Sequence, residues 1–390
     1  MKKWPVEGLG DILSISRERI EPLAYPKKIF NYIGLESIVS HTGTLHEYQP
    51  SFGASIKSTK NVFHKNEILY GKLRPYLNKV HLANMDGICS TDIYVLQVDQ
   101  QKILPSFAAN YLRSPSVLSI LSSAMAGANL PRINHDALLN IQIPVPALPE
   151  QERIVNLLDE ADQLRKLRGQ ADKRSAELIP ALFEEMFGDP DKNPKGWQVK
   201  RLQELCQQIS DIDHNMPKAI DDGVPFISAK DLTDNHKILF DNVKKISRAD
   251  FVRLSRKIKP QRGDIIYSRI GAKLGKARLV EVDFDFLASY SCCTIRPNQK
   301  AANSVFLCVF LNMPSVLSKA LQGVRAIGVP DLGMGEINDF KVILPPLSLQ
   351  NEFASHISAI YDIEEDQSSS RKNLDALFQS MLHRAFQGEL

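Results

Sequence analysis

The feature that most constrains this chain is an internal repeat, because a duplicated sequence must form two copies of one fold. When the 390-residue sequence is shifted by 199 positions, residues 114–188 align without a gap against residues 313–387. Within this stretch Pro115–Ser119 (PSVLS) recurs as Pro314–Ser318. Other recurring residues are Gln151 and Gln350, and Phe187 and Phe386.

The repeat continues upstream with small changes of register, as insertions in surface loops produce. At a shift of 197, Ile68–Lys72 aligns with Ile265–Arg269, and at a shift of 193, Trp4 aligns with Trp197. Each copy therefore has a front part of mixed strand and helix character and a helical back part. The predicted segments are front domains at 1–147 and 189–346, and helices at 148–188 and 347–390.

The back parts have the apolar spacing of amphipathic helices that pack along a coiled-coil-like seam. In the first copy, apolar residues recur every three or four positions from Ile154 to Leu164. A helix of about 40 residues spans about 60 Å. Pro180 predicts a local kink, since proline lacks the amide donor, and Pro345 with Pro346 predicts a break before the second helix.

The front parts carry both strand and helix patterns. Asp92–Val98 alternates apolar and polar residues, and Ile265–Tyr267 is a short apolar run after a Gly-Asp pair. Residues 107–121 predict a helix that is broken near Pro115. Because Tyr70 and Tyr267 follow two apolar residues in predicted strands, we expect both to pack in the core.

The net charge of +3 becomes informative when it is divided among the four segments. The front domains are basic, with 15 Lys and Arg against 11 Asp and Glu in 1–147 and 24 against 18 in 189–346, whereas both helical segments are acidic. Residues 244–278 contain twelve basic residues and two acids, and their counterpart, 57–79, contains six and one. Two basic lobes suit contacts with duplex phosphates, but a solvated surface strip explains clustered Lys and Arg as well.

The catalytic motifs that the sequence suggests are incomplete. Gly271–Ala277 resembles a phosphate-binding loop, but only three residues separate its glycines and Ala277 replaces the required Ser or Thr. Asp331 and Asp339 fit a permissive nuclease pattern with short spacing, and the duplicate copy has neither carboxylate. The tetrapeptide and Gly-rich loop of an amino-methyltransferase are missing from the sequence. We therefore expect a chain without catalytic activity of its own.

The cysteines and the apolar runs indicate in which cellular compartment the protein is expected. The five cysteines are an odd number without C-x-x-C spacing, which indicates a reducing cytoplasm. Cys292 and Cys293 lie in a predicted strand, where small buried hydrophobic residues are expected. The scattered histidines predict no metal site. The longest apolar run, Val305–Leu311, has seven residues, and we expect neither a membrane span nor an export signal.

With the repeat and the basic front domains established, the chain resembles the DNA-specificity subunit of type I restriction-modification enzymes over essentially its whole length. Pro146–Ile154 (PALPEQERI) resembles the family's entry into its central helix, Leu182–Asp189 (LFEEMFGD) its exit, and Ala385–Leu390 (AFQGEL) its C-terminal signature. The second entry, Pro345–Phe353, departs from this pattern because Leu-Gln-Asn replaces Glu-Gln-Glu.

This resemblance implies an α+β fold with two mixed target recognition domains in tandem repeat, separated by two long antiparallel coiled-coil-like helices with pseudo-twofold symmetry. Each domain would read one half of a bipartite, asymmetric site in double-stranded DNA. The implied partners are two copies of an adenine methyltransferase subunit and motor-nuclease restriction subunits. These partners would bring S-adenosylmethionine, ATP and magnesium, so that no cofactor is expected in this chain and no membrane is involved.

The duplicated basic loops are our candidate DNA-binding residues, since Lys and Arg pair with phosphates or with guanine. Trp4 and Trp197, at matching domain entries, are expected to be packing anchors. A rival interpretation is a stand-alone DNA-binding regulator or architectural protein, which would more simply homodimerise on a palindrome. The candidate residues are Lys72, Arg74, Tyr76 and Lys79 in the first domain and Arg269, Lys273, Lys276 and Arg278 in the second.

Overall fold

The computed structural model describes residues 4–46, 50–123, 132–214, 216–322 and 330–390. The chain divides into two compact units, Met1–Gly169 with Ser368–Leu390 and Gln170–Gln367. Each unit thus contains one front domain together with parts of both helical segments. The four-segment division made from the sequence stays a prediction, because each compact unit includes parts of both helical segments.

Unit 1 is built from short strands, short helices and the first part of a long helix. Its strands are β1 Val6–Gly8, β2 Leu13–Ile15, β3 Arg19–Ile20, β4 Ile29–Phe30, β5 Tyr32–Ile33, β6 Ser51–Phe52, β7 Lys60–Phe63, β8 Ile68–Gly71, β9 Val80–Leu82, β10 Gly87–Cys89, β11 Ile93–Val98 and β12 Gln142–Pro144. Its helices are α1 Leu9–Ile12, α2 Pro105–Leu112, α3 Pro115–Ser123, α4 His135–Leu139 and the start of α5 Leu148–Phe187, with 3-10 turns at Pro22–Ala24, Leu35–Ser37, Gly53–Ser55 and Pro75–Leu77.

Unit 2 repeats much of this order. Its strands are β13 Gln198–Arg201, β14 Cys206–Ser210, β15 Val224–Ile227, β16 Lys244–Ile246, β17 Ile265–Ser268, β18 Ala277–Leu279, β19 Leu287–Ala288, β20 Cys292–Pro297 and β21 Lys341–Leu344. Its helices are α6 Arg248–Leu254, α7 Ser304–Asn312, α8 Pro314–Gln322, α9 Met334–Asn338 and the start of α10 Leu347–Ala385, with 3-10 turns at Leu202–Leu205 and Ala229–Asp231.

The duplication in the sequence appears as one sheet built twice. The strand order is β2-β11-β8-β9 in unit 1 and β14-β20-β17-β18 in unit 2, and neighbouring strands are antiparallel in both. A second antiparallel pair, β1 with β12 and β13 with β21, ties the start of each front domain to its end. The predicted α+β tandem repeat is confirmed, as are the strand at 92–98 and the helix broken near Pro115.

Smaller sheets distinguish the two units. In unit 1 the smaller sheets are β3-β7-β10-β5 and the antiparallel pair β4 with β6. In unit 2 the smaller sheet is β16-β15-β19, and α6 follows β16 in the chain. The parallel pair β5 with β10 matches β15 with β19, and the antiparallel pair β4 with β6 matches β15 with β16. The domains therefore differ in β3 and β7, which have no counterpart among the described strands of unit 2.

The recurring glutamines fasten each long helix to its front domain. Gln151 is fully buried, where its Oε1 accepts from the Leu104 amide at 2.8 Å and its Nε2 donates to the Pro146 carbonyl at 2.8 Å. Gln350, also fully buried, accepts from the Asn303 amide at 2.9 Å. A buried amide persists only when its hydrogen bonds are made, which explains a polar residue on the core side of both helices.

The recurring phenylalanines pack at the far ends of these helices. The Phe386 ring lies 5.1 Å from that of Phe107 in unit 1, measured between centroids. In unit 2 the Phe187 ring lies 5.1 Å from those of Phe306 and Phe353. Unit 2 thus buries aromatic residues from both long helices, whereas unit 1 takes Phe386 from the residue after α10. Such edge-to-face pairs add to the gain from burial.

Within each unit the two helical segments run antiparallel. In unit 1, Arg165 Nε lies 2.7 Å from Asp375 Oδ1 and an Arg153 amino group donates to the Leu390 carbonyl. In unit 2, the Ser175 hydroxyl donates to Gln367 Oε1 at 2.9 Å. The helix α5 is continuous through Pro180, and its predicted kink stays a prediction.

Several single-residue predictions have a direct outcome. Tyr70 and Tyr267 are buried, as are Cys292 and Cys293 in β20, so that these packing assignments are confirmed. Both tryptophans, Trp4 and Trp197, pack partly buried against the cores of their units. Among the described residues no single helix is long and apolar enough to span a membrane. The helices α7 and α8 have that length and apolarity only when they are taken together, and the chain bends by 63° between them.

Candidate nucleic-acid interface

The two basic loops occupy the same place in the duplicated sheet. Residues 72–79 connect β8 to β9, and residues 269–276 connect β17 to β18. Each loop is closed at its base by an equivalent hydrogen bond, from the Gly71 amide to the Lys79 carbonyl and from the Ser268 amide to the Lys276 carbonyl, both 2.9 Å. The alignment of these loops is therefore confirmed in three dimensions.

The two loops turn by different means. In the first, Arg74 and Asn78 take left-handed backbone angles on either side of a 3-10 turn. In the second, Gly271 and Gly275 have φ of 98° and 90°. A Cβ at Gly275 would lie 2.1 Å from Leu317 Cδ1. These glycines are required by the turn itself, which agrees with rejecting a nucleotide-binding loop.

In the first loop, Arg74 and Tyr76 are the most accessible candidate residues. Both side chains are exposed, and Tyr76 presents half of its surface to solvent. Lys72 is partly buried: its Nζ donates to the Thr91 carbonyl at 2.6 Å and lies 4.3 Å from the centroid of the Tyr94 ring. Burial lowers the pKa of Lys72. Arg74 and Tyr76 are therefore the first choices for DNA contact in this domain.

Lys79 and its counterpart Lys276 are held at the ends of their loops. Lys79 Nζ donates to the Leu35 carbonyl at 2.8 Å. Lys276 pairs with Asp234, and this ion pair holds the pKa of the Asp234 carboxyl below its usual range. Lys273 is exposed, with its Nζ 3.2 Å from the Lys230 carbonyl. In the second loop Lys273 is thus the most accessible cation.

Arg269 is buried among partners within its own domain. Its side chain is 6% exposed, and its Nε donates to the Leu332 carbonyl at 3.1 Å. One amino group faces Asp211 at 3.4 Å, and the other faces Asp331 at 3.1 Å. Since its donors are used within the fold, this guanidinium joins the strand ends, and its contact with DNA stays a prediction.

Arg278 is likewise buried, and its contact with DNA likewise stays a prediction. It is 4% exposed, and its Nε donates to the Thr233 carbonyl at 2.7 Å. One amino group donates to the Ala277 carbonyl at 2.6 Å and to Asn312 Oδ1 at 3.1 Å. Burial lowers the pKa of Arg278. This arginine holds the loop at 233–238 against the central sheet and α7.

Unit 1 achieves the same contact with an arginine from another position. There Arg113, at the end of α2, donates to the Thr42 carbonyl at 2.6 Å. The loop it holds has an isolated bridge between Ile38 and Leu45, as the loop at 233–238 has between Leu232 and Ile238. In the alignment, Arg278 matches His81 and Arg113 matches Asn312. One structural arginine thus occupies different positions in the two domains. Alignment of the two repeats shows this difference, so the structural role of these arginines could have been inferred from the sequence.

A surface position beside each loop carries opposite charge in the two domains. Backbone bridges join Leu73 to Arg132 and Ile270 to Asp331. Arg132 pairs with Asp92 in unit 1, whereas Asp331 pairs with Arg269 in unit 2. Arg132 and Asp331 are both at least half exposed. The two domains therefore offer different hydrogen-bonding groups at the same place.

The basic strip at 244–278 is more neutral in three dimensions than in sequence. Acids from neighbouring segments pair with its cations: Arg262 with Asp283 at 2.8 Å, and Lys257 with Asp213 at 2.6 Å. Asp285 pairs with Lys259 at 2.6 Å. In the part of the chain that the structure describes, no three His, Cys, Asp or Glu side chains are grouped closely enough to hold a metal ion. The suspected nuclease carboxylates are separately paired, Asp331 as above and Asp339 with Arg201.

Comparison with known proteins places this duplicated architecture in a family. The sequence model of the type I restriction modification DNA specificity domain matches residues 1–173 and, a second time, residues 194–371. The specificity subunit of the type I restriction enzyme EcoDI from Escherichia coli is 31% identical over 188 residues, 47% of this chain and 41% of that protein. The MjaIX specificity subunit from Methanocaldococcus jannaschii is 22% identical over 71% of this chain and 63% of that protein. The chain therefore aligns with less than two thirds of the length of these two curated relatives.

Solved structures share the fold. A chain from work on the structural basis of complex assembly and conformational transition of the type I R-M system has a TM-score of 0.66 and 22% identity, with 99% of this chain and 98% of that chain covered. A type I restriction-modification S subunit from M. genitalium has a TM-score of 0.54 and 14% identity, with 98% and 96% covered. Because the family model matches both copies of the repeat, this chain belongs to the type I restriction-modification DNA specificity family.

Proposed function

We propose that this chain is the sequence-reading subunit of a type I restriction-modification complex and that each front domain reads one half of a bipartite, asymmetric DNA site. The observation that carries the proposal is the duplicated sheet, which presents an exposed cation at the same turn of both domains, Arg74 in one and Lys273 in the other. Cationic loops on a rigid sheet suit the phosphates of a duplex.

The differences between the domains support the reading of two unlike half-sites. Arg132 in unit 1 offers hydrogen-bond donors, whereas Asp331 in unit 2 offers acceptors at the equivalent position. The attached sheets differ as well. A stand-alone regulator of twofold symmetry would present identical surfaces to a palindrome, so these differences favour the specificity subunit over this rival.

In this proposal the chain performs recognition and its partners perform the chemistry. Two copies of an adenine methyltransferase subunit supply S-adenosylmethionine, and motor-nuclease subunits supply ATP and magnesium, in the cytoplasm. The paired state of Asp331 and Asp339 and the turn-forming role of Gly271 and Gly275 support a chain that binds and positions DNA. Methylation of adenine would then depend on which sequence the two domains hold.

Exchange of one domain tests this proposal. When residues 189–346 are replaced by the matching domain of a relative, one half of the methylated sequence should change and the other should stay the same, because each domain has its own core. The measurement is the map of methylated adenines in cells that carry the gene for each variant. A change in both half-sites, or methylation by this chain without a co-purifying methyltransferase, would contradict the proposal.

The exposed loop cations should contribute affinity without contributing stability. For Arg74→Ala and for Lys273→Ala, we expect the slope of log affinity against log salt to fall by about one unit each, as for the loss of one phosphate contact. The unfolding temperature should stay the same, since both side chains are exposed. Lys300→Ala, which removes another exposed cation of unit 2, is the matched control and should leave the slope unchanged. An unaltered slope in both loop variants would place the phosphate contacts elsewhere.

A further inference from the structure

Unit 1 exposes a set of large apolar side chains that its own core does not use. Leu23, Tyr25, Ile29 and Phe52 are 50%, 53%, 57% and 57% exposed. Single exposed apolar residues are ordinary, but neighbouring ones mark an interaction surface. Ile29 and Phe52 are direct partners across the antiparallel pair of β4 with β6. Partners across a pair point to the same face, so Ile29 and Phe52 share one face. Leu23 and Tyr25 lie in the turn whose Tyr25 carbonyl approaches Gly53, next to Phe52. We call these four exposed residues the apolar platform.

The platform has a buried reverse side. Phe30, next to Ile29 in β4, is 5% exposed and packs with Ile56 and Ile88. Successive side chains of a strand point to opposite faces, so that burying Phe30 directs Ile29 outward. The exposure of Ile29 and Phe52 is therefore built into the strand pair.

Hydrogen bonds hold the platform in one conformation. The Gly53 amide donates to the Lys28 carbonyl at 2.8 Å, and the Ala54 amide donates to the Pro26 carbonyl at 3.1 Å. A Cβ at Gly53 would lie 2.2 Å from the Tyr25 carbonyl oxygen, so the turn after β6 requires glycine. A rigid apolar surface loses little conformational entropy on binding, which suits recognition.

The charge around the platform points to a polyanion. The segments 22–30 and 50–60, which form it, contain four lysines and no Asp or Glu. Lys27 and Lys57 are exposed, and Lys28 Nζ lies 5.9 Å from the centroid of the Tyr25 ring. Cations beside apolar groups match duplex DNA, which offers phosphates together with thymine methyl groups in its major groove.

The side chains of the platform also distinguish the two domains. The matching antiparallel pair of unit 2 is β15 with β16, in which the partners Val224 and Ile246 are both buried. In unit 1 the partners Ile29 and Phe52 are both exposed. Two domains that read unlike half-sites must differ in the groups that contact bases, so the platform is a candidate for reading the half-site of its own domain.

We propose that the apolar platform is a base-contacting surface of the first domain, in which Ile29 and Phe52 contact thymine methyl groups and Lys27 and Lys28 pair with the adjoining phosphates. This inference rests on the proposed function, since it names the residues through which one domain would read its half-site. It adds a specificity determinant distinct from the loop at 72–79.

The test uses the assembled enzyme and a duplex that contains its mapped methylation site. The double variant Ile29→Ala, Phe52→Ala should bind this duplex about tenfold or more weakly, as is usual for the loss of specific base contacts. Replacing thymine by deoxyuridine in the half-site read by the first domain should weaken binding of the unsubstituted enzyme and leave the double variant unaffected. Ile120→Ala, which changes a half-exposed apolar residue of α3, is the control and should bind normally.

The outcomes separate the inference from the function it rests on. If the unsubstituted enzyme binds the site but the double variant matches it in affinity and in response to deoxyuridine, the platform inference is overturned and the proposed function stands. If the double variant loses its methyltransferase subunits instead, the platform is a protein contact and the inference is again overturned. If the unsubstituted assembly does not distinguish its site from unrelated DNA, both fail. Unchanged thermal unfolding of the variant establishes that the fold is intact.

Discussion

The Arg278→Ala variant is expected to unfold about 6–12 °C below the unsubstituted protein, although sequence alone places this residue among the DNA-binding cations. The arginine is 4% exposed and donates to the carbonyls of Thr233 and Ala277 and to the side chain of Asn312. Losing these hydrogen bonds, and with them the donor to the Thr233 carbonyl, costs about 3 kcal/mol, given 1.5–3 kcal/mol for a hydrogen bond to a charged group. For a unit of about 200 residues this corresponds to 2–4 °C per kcal/mol.

Calorimetry on the whole chain without DNA measures this effect. Lys273→Ala is the matched control, because it removes a cation of the same strip that is exposed. Its unfolding temperature should equal that of the unsubstituted protein. A normal unfolding temperature for Arg278→Ala combined with weaker DNA binding would restore the original assignment of this arginine to the DNA contact and would refute its structural role.

Lengthening both long helices should change the spacing of the recognised half-sites. The helices α5 and α10 pass from one compact unit to the other between Gly169 and Gln170 and between Gln367 and Ser368. Inserting four residues at each point adds about one turn, or roughly 6 Å of rise, to each helix. Since duplex DNA rises 3.4 Å per base pair along each strand, the unspecific gap between half-sites should grow by one or two base pairs.

The insertion must be made in both helices because they are paired within each unit. In unit 1 Arg165 meets Asp375, and in unit 2 Ser175 meets Gln367. Two residues added to each helix would rotate the apolar face by about 200° and should impair folding or assembly. The measurement is a map of methylated sites. A four-residue variant that assembles and methylates sites of the original gap would show that the helices do not set the spacing.

The sequence predicts the repeated parts of the fold well because they are recorded twice. Gln151 and Gln350 recur since both must satisfy the same backbone groups at a helix start. Proline at the first position of α3 and α8 separates each from the preceding helix. In β11, Ile93 and Val95 pack in one core and Leu96 packs in another, which explains its apolar character. The prolines and the strand depend on neighbouring residues, which a pattern search detects. Each glutamine bonds an amide 47 residues away and is noticed because it recurs.

The candidate site was less predictable because ion pairs form between distant segments. Residues 244–278 look strongly basic in sequence, but Asp213 and Asp283 neutralise part of that charge from outside the strip. Arg269 and Lys273 are both cations of the same strip, so the sequence does not separate them. They differ in burial, which depends on where the chain turns. The apolar platform was not predicted either, because it depends on the pairing of two distant segments. Phe52 lies in a strand of only two residues, which has no sequence pattern, and its partner in the sheet is Ile29.

The exchanged arginine limits how genes for such chains can recombine. Crossing over between the two copies at a point between residues 81 and 113, or between 278 and 312, would join His81 to Asn312 in one product and Arg278 to Arg113 in the other. In the first product the Thr42 carbonyl loses its Arg113 donor, and only the contact of His81 Nδ1 with the Gly43 carbonyl at 2.7 Å is left to hold the loop. The second product places two guanidinium groups against one loop. We therefore expect viable crossover points to lie in the long helices, outside the domain, so that a whole domain with both members of its pair is passed on as one unit.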